Sequence, residues 1–211
     1  MVEVLKGVHL VDGSFANVYI LVRSDHLVAI DAGAPGNEEK VLGYIRGMGA
    51  KPSSLKLVVV THAHYDHVGA LKSLRGATGA RVAAHRDEVP FIEGRRGLPG
   101  VRHEPVEVDL VLGEGDVVEG LRVIHVPGHT PGSIALLDEE LGAIFIGDLA
   151  YEENGALYEI PQQYSLDPEG NRRSIKRLLE LKFKHVLPSH GRPIIGRGRE
   201  ALEDLVKRLR I

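Results

Sequence analysis

The stretch Thr61-His62-Ala63-His64-Tyr65-Asp66-His67 decides how this chain reads. It follows directly on Leu57-Val58-Val59-Val60, a short unbroken apolar run of the kind expected for a strand covered on both faces. It leads into a helix expected at about 67–74. In extended backbone, side chains two positions apart project to the same side, so His62 and His64 can grip one metal ion together. Asp66 and His67 fall where the chain turns into the helix and can face a second ion beside the first.

Three later features have the same character. His129 sits in Val126-Pro127-Gly128-His129-Thr130-Pro131-Gly132, just past an expected strand. Asp148 closes the run Ile144-Phe145-Ile146-Gly147, and His190 closes Val186-Leu187-Pro188-Ser189 ahead of Gly191. A polar residue that ends an apolar strand beside Gly or Pro sits where strands deliver functional groups. With the first motif, these residues make a seven-donor set.

Composition restricts the chemistry further. The chain has 211 residues, 43% hydrophobic and 26% charged, with a formal net charge of −3. That length and composition suit one folded domain over 1–211 and exclude global disorder. No strongly basic footprint for nucleic acid or a membrane surface is present. The chain has no cysteine and eleven histidines. Disulfides, thiolate nucleophiles, iron–sulfur clusters and Cys-type zinc fingers are therefore excluded, and any metal must be held by imidazole and carboxylate. The amino terminus has no signal-peptide pattern and no run approaches 18 apolar residues, so a soluble, cytoplasmic protein is expected. Scarcity of the labile residues Cys, Met, Gln and Asn points to a thermophilic source.

Along the chain, strands are expected at 2–11, 16–22, 27–31, 57–60 and 80–84, with helices at about 37–48 and 67–74 and a short one at 86–93. A Gly/Pro/Arg-rich surface loop covers 94–105. Further strands follow at 106–112, 117–127, 132–138 and 142–147, then a stretch without clear period at 149–167. A helix at about 168–182, a strand at 185–187 and a helix near 199–210 close the chain. Asp12-Gly13-Ser14 reads as a turn. Two blocks of mostly antiparallel strands, each followed by helices, predict an α+β protein with two sheets packed together and helices outside.

On these residues the chain resembles the metallo-β-lactamase superfamily, in the compact hydrolase branch of hydroxyacylglutathione hydrolases (glyoxalase II) and acyl-homoserine lactonases. The resemblance runs from Asn17 and Ile30-Asp31-Ala32-Gly33 to His190-Gly191. It implies a four-layer αββα sandwich with the metals at one edge, between the sheets. It assigns His62, His64 and His129 to a first metal and Asp66, His67 and His190 to a second, with Asp148 bridging and Asp31 supporting the ligands. The implied cofactor is two divalent metal ions, zinc (Zn2+) first, with iron or manganese fitting similar geometry. Such a centre makes hydroxide at neutral pH and stabilises an anionic transition state, so the implied reaction is hydrolysis with a metal-bridging hydroxide as nucleophile. Asp66 is also the catalytic candidate that steers protons to the leaving group. The absence of Cys at the second metal argues against β-lactams as substrates.

Substrate choice resides in loops. Full-length glyoxalase II enzymes add a C-terminal helical segment that holds glutathione, whereas this chain runs only about twenty residues past His190, which argues against glutathione thioesters. Lactonases carry a tyrosine near the metals, a place that Tyr65 or Tyr151 could take. His85, at the end of the strand expected at 80–84, is a further candidate contact. Small esters, lactones, thioesters or phosphoesters are the expected substrates, with broad tolerance, no nucleic acid or membrane partner, and a homodimer by likeness to small family members. Two alternatives stay open: a mononuclear iron persulfide dioxygenase using His62, His64 and His129 or Asp148, and a metal-stabilised binding protein without turnover. His9, His26, His125 and His185 lie in strands or turns without a partner pattern and read as structural.

Overall fold

The computed structural model describes residues 2–11, 15–97 and 103–211. The expected turn at 12–14 and residues 98–102 of the expected surface loop lie outside the described residues. The chain divides into two compact units, Met1–Leu112 and Gly113–Ile211. Among the described residues no helix is long and apolar enough to cross a membrane.

The first unit holds a seven-stranded sheet whose spatial order is the chain order: β1 (Val2–Leu5), β2 (Val8–Val11), β3 (Val18–Val22), β4 (Leu27–Ile30), β5 (Leu55–Val60), β6 (Arg81–His85) and β7 (Leu110–Leu112). Strands β1 to β4 pair antiparallel and β4 to β7 pair parallel. Helix α1 (Asn37–Gly47) connects β4 to β5, and α2 (Tyr65–Val68) and α3 (Leu71–Thr78) connect β5 to β6. Helix α4 (Val89–Ile92) follows β6. The unbroken apolar run of β5 is buried throughout Leu57–Val60, as its sequence predicts. Val58 and Val60 share a core cluster with Val41 and Ile45 of α1 and Leu71 and Leu74 of α3. Register then places the site. Ile30 lies opposite Val59 and Val60 opposite Ala84, so Asp31, Thr61 and His85 leave the parallel strands at one carboxyl edge, where open parallel sheets bind ligands.

The second unit holds a five-stranded sheet in the order β14-β11-β10-β9-β8 and a separate two-stranded hairpin. Its strands are β8 (Val117–Val118), β9 (Leu121–His125), β10 (Ile134–Asp138), β11 (Ala143–Gly147), the hairpin β12 (Ala150–Glu153) and β13 (Ala156–Glu159), and β14 (His185–Pro188). Strand β10 runs antiparallel to both β9 and β11, and β11 parallel to β14. Strands β9, β11 and β14 therefore point the same way and deliver His129, Asp148 and His190 to the same edge. Helices α5 (Pro168–Arg177) and α6 (Gly198–Leu209) bury Ile175, Leu202 and Leu205 against Ile144, Ile146 and Val186. Asp167 caps α5 by accepting the Gly170 amide at 2.9 Å, and Pro168 opens its first turn.

Several expected elements differ in form. The single strand expected over 117–127 is a hairpin of β8 and β9, because Glu119 and Gly120 take φ +52 and +78 and reverse the chain. The single strand expected over 2–11 is a hairpin, because Gly7 takes φ +72 and reverses the chain. The helix expected at 67–74 is two helices. The chain passes so close to Pro35 at Gly69 that a Cβ there would lie 2.3 Å from the proline Cδ. The aperiodic stretch 149–167 contains the β12–β13 hairpin. Its turn residues Asn154 and Gly155 take φ +52 and +82, the pattern of a tight primed turn. His185 reads as structural here too: burial beside Lys184 holds its imidazole below the ordinary range, and Nδ1 accepts the Gly196 amide at 3.0 Å.

Candidate metal site

In the first unit the histidine turn hangs from Asp31. This aspartate takes φ +62, a left-handed conformation that Asp tolerates better than most residues, and is 1% exposed. Its amide donates to the Val59 carbonyl at 2.9 Å, which anchors it to β5. Its Oδ1 accepts the Thr61 amide at 2.7 Å, and its Oδ2 accepts the Thr61 hydroxyl at 2.8 Å and His67 Nδ1 at 2.8 Å. With Nδ1 donating to a carboxylate, the His67 lone pair sits on Nε2, the arrangement that prepares histidine for a metal. That Nε2 lies 3.7 Å from Asp66 Oδ2. His62 Nε2 and His64 Nδ1 stand 3.1 Å apart. Two nitrogens bound tetrahedrally to one zinc ion would stand about 3.3 Å apart.

Glu88, which carried no recognisable signal in the sequence, belongs to this turn. Its carboxylate is fully buried, and Oε2 accepts the Ala63 amide, between the two histidines, at 2.8 Å. It therefore holds the backbone from which His62 and His64 project. We expect Glu88→Ala to cost about 2–4 kcal/mol, because it strands a buried amide and opens a cavity. Glu88→Gln, which keeps an acceptor, should cost less. Thermal melts of both variants alongside metal titrations check this.

In the second unit the three predicted residues converge on one oxygen. Asp148 Oδ2 lies 3.2 Å from His190 Nε2 and 3.5 Å from His129 Nε2. A single carboxylate oxygen between two imidazoles is the geometry of a shared donor. His129 is 2% exposed, and its Nδ1 lies 3.4 Å from Ser165 Oγ. Its carbonyl accepts the Leu166 amide at 3.1 Å, which ties the turn to the segment leading into α5. His190 is the more open of the two, with 28% of its side chain exposed. Imidazoles and carboxylates in each turn suit divalent ions, and neutral histidine nitrogens with aspartate oxygens match zinc and iron alike.

A sequence profile of the metallo-beta-lactamase superfamily matches residues 11–190. The chain belongs to that superfamily. The probable metallo-hydrolase YflN of Bacillus subtilis is 27% identical over 98% of this chain and 92% of its own length. The human acyl-coenzyme A thioesterase MBLAC2 is 30% identical over 84% of this chain and 74% of its own. The solved structure of TTHA1623 in a di-iron-bound form is 32% identical, with a TM-score of 0.70 over 90% of this chain and 95% of that one. The α+β metallo-β-lactamase fold expected from the sequence is thus shown, and the relatives support a metal-dependent hydrolase.

The remaining predicted residues of this superfamily member take varied positions. Tyr65, 37% exposed, meets the edge of Phe15 at a centroid distance of 6.1 Å. Phe15 is 64% exposed, and as a lone aromatic in a turn it gave no sequence signal. The Tyr151 ring stacks on Tyr158 across the hairpin at 5.5 Å. His85 is buried, and its Nδ1 accepts the Asp87 amide at 3.3 Å, so it closes the turn after β6.

Proposed function

We propose that this chain is a dinuclear metal-dependent hydrolase of small esters, lactones, thioesters or phosphoesters. His62, His64 and His129 would hold one ion, Asp66, His67 and His190 the other, and Asp148 would serve both. Asp31 orients His67. The observation that carries the reading is the donor chemistry of the two turns: a carboxylate-held His67 in one, and a carboxylate oxygen between His129 and His190 in the other. Two divalent ions bound there would supply activated water and polarise the scissile carbonyl or phosphoryl group. Asp66, with 14% of its side chain exposed, would pass a proton to the departing oxygen or sulfur. Tyr65 and Phe15 offer an apolar face to the acyl part.

Among acyl donors, thioesters come first, because MBLAC2 bears that activity in its name. Zinc and iron are both candidates, since the similar TTHA1623 structure is a di-iron form. The test is metal quantification of the purified protein, paired with a lactone, thioester and phosphoester panel on zinc- and iron-loaded samples. Two ions per chain and turnover of acyl substrates are expected, with a loss of more than about a hundredfold in His62→Ala. Protein that neither carries nor takes up metal, or full activity in His62→Ala, would overturn the reading.

A further inference from the structure

The second unit contains a cavity of about 730 Å3 that none of the proposed metal ligands lines, in the size range of small-molecule sites. One wall is the turn of the β12–β13 hairpin and the other is the chain just past His190. Glu152 joins them. Its Oε1 accepts the Gly155 amide and its Oε2 the Arg192 amide, each at 2.6 Å. Its own amide donates to the His190 carbonyl at 2.9 Å. Gly191 permits this close approach: it takes φ +92, and a Cβ there would lie 2.1 Å from the Glu152 carbonyl oxygen. The cavity is therefore fixed to the backbone of His190.

Two arginines, Arg192 and Arg197, line it. Arg197 Nη2 donates to the Gly155 carbonyl at 3.3 Å. Among the described residues no carboxylate pairs with either guanidinium, and the one acid in the wall, Glu152, has both oxygens engaged by backbone amides. Other arginines of the same unit are paired: Arg172 with Glu159, Arg177 with Glu114, Arg199 with Glu203. Ile195, 42% exposed, adds an apolar face beside the two cations. Two guanidiniums without a carboxylate in a concave site form a recognition element for phosphate oxygens, which match their forked donors.

We propose that this cavity binds a phosphate group on the leaving-group side of the substrate, so that the enzyme prefers acyl donors with a phosphorylated leaving group. The inference rests on the hydrolase reading. Arg192 is two residues past His190, so a handle held there lies next to that proposed ligand in the chain.

The test compares a coenzyme A thioester with the matching pantetheine thioester, which lacks every phosphate, in the metal-loaded wild type and in Arg192→Gln/Arg197→Gln. In the wild type, kcat/KM should favour the coenzyme A thioester, and in the double variant this ratio should fall about tenfold or more, mainly through KM. Calorimetric titration of adenosine bisphosphate into the same proteins reads the site without turnover, and its affinity should weaken by a similar factor. Equal kcat/KM for the two thioesters in the wild type would overturn the proposal, as would adenosine bisphosphate binding unchanged by the double substitution. If neither thioester is turned over, the hydrolase reading fails on thioesters and the titration alone decides whether the cavity takes phosphate. Unaltered melting temperature in the double variant separates lost recognition from lost folding.

Discussion

Asp31→Ala is expected to be among the most damaging substitutions in this protein, to stability and metal binding together. The carboxylate is buried and accepts hydrogen bonds from the Thr61 amide, the Thr61 hydroxyl and His67 Nδ1. Removing it strands a buried amide and an imidazole N–H at once, at a cost of about 3–5 kcal/mol. Alanine adds strain, because the position takes φ +62. For a chain of this length that corresponds to a fall of roughly 6–20 °C in Tm. His67 also loses the partner that fixes its tautomer, so metal affinity should fall about 10–100-fold. Asp31→Asn separates the two effects. Asparagine tolerates the left-handed backbone and can still accept the Thr61 amide, so most of the stability should return. Its NH2 group then faces His67 Nδ1 where the carboxylate oxygen stood and cannot accept that N–H, so the loss of imidazole polarisation, and with it much of the loss in metal affinity, should persist. Thermal melts and metal titrations of the pair check this. Asp31→Ala protein that binds metal as tightly as the wild type would show that Asp31 does not orient the ligands.

What the sequence made legible, and what it hid, follows from how local each signal is. The β5 run and the histidine turn are contiguous, and strand periodicity alone puts His62 and His64 on one side. His129, Asp148 and His190 were recognisable because each ends an apolar strand beside Gly or Pro. That β9, β11 and β14 run the same way, and so gather them around one oxygen, depends on sheet order, which no local pattern encodes. Glu88 acts on Ala63 from 25 residues away and looks like any surface glutamate in sequence. The cavity wall is similarly hidden, since Glu152 and Arg192 are 40 residues apart. By contrast, the β12–β13 hairpin had a readable cue in Asn154-Gly155. The weak strand pattern around it, Ala-Tyr-Glu-Glu and Ala-Leu-Tyr-Glu, masked that cue.

Gly128→Ala should damage the second unit as severely as Asp31→Ala damages the first, although glycine contributes no chemistry. Gly128 takes φ +139, and a Cβ there would lie 2.0 Å from the Asn171 amide nitrogen and 2.5 Å from its Cα. Those atoms are helix backbone, so no rotamer change relieves the clash. Helix α5 must move away, yet it is tied to this turn at several points. The Asp167 amide donates to the Gly128 carbonyl at 2.8 Å, and the Ser174 hydroxyl to the Pro127 carbonyl at 2.7 Å. Asn171, fully buried, donates to the Leu149 carbonyl at 3.1 Å, one residue past Asp148. Displacing α5 therefore disturbs the backbone beside both His129 and Asp148. Backbone strain and overpacking together should cost about 3–5 kcal/mol, or roughly 6–20 °C in Tm. Gly142→Ala is the control. That glycine also has positive φ, at +61, but its Cβ would meet nothing nearer than Lys184 at 3.8 Å. It carries conformational strain without a clash and should cost about 1 kcal/mol, with metal content unchanged. If the two variants lost equal stability, strain at φ would be the whole effect and the close contact between α5 and the His129 turn would count for nothing. A larger loss in Gly128→Ala, accompanied by lost metal, would show that α5 is what holds His129 against Asp148.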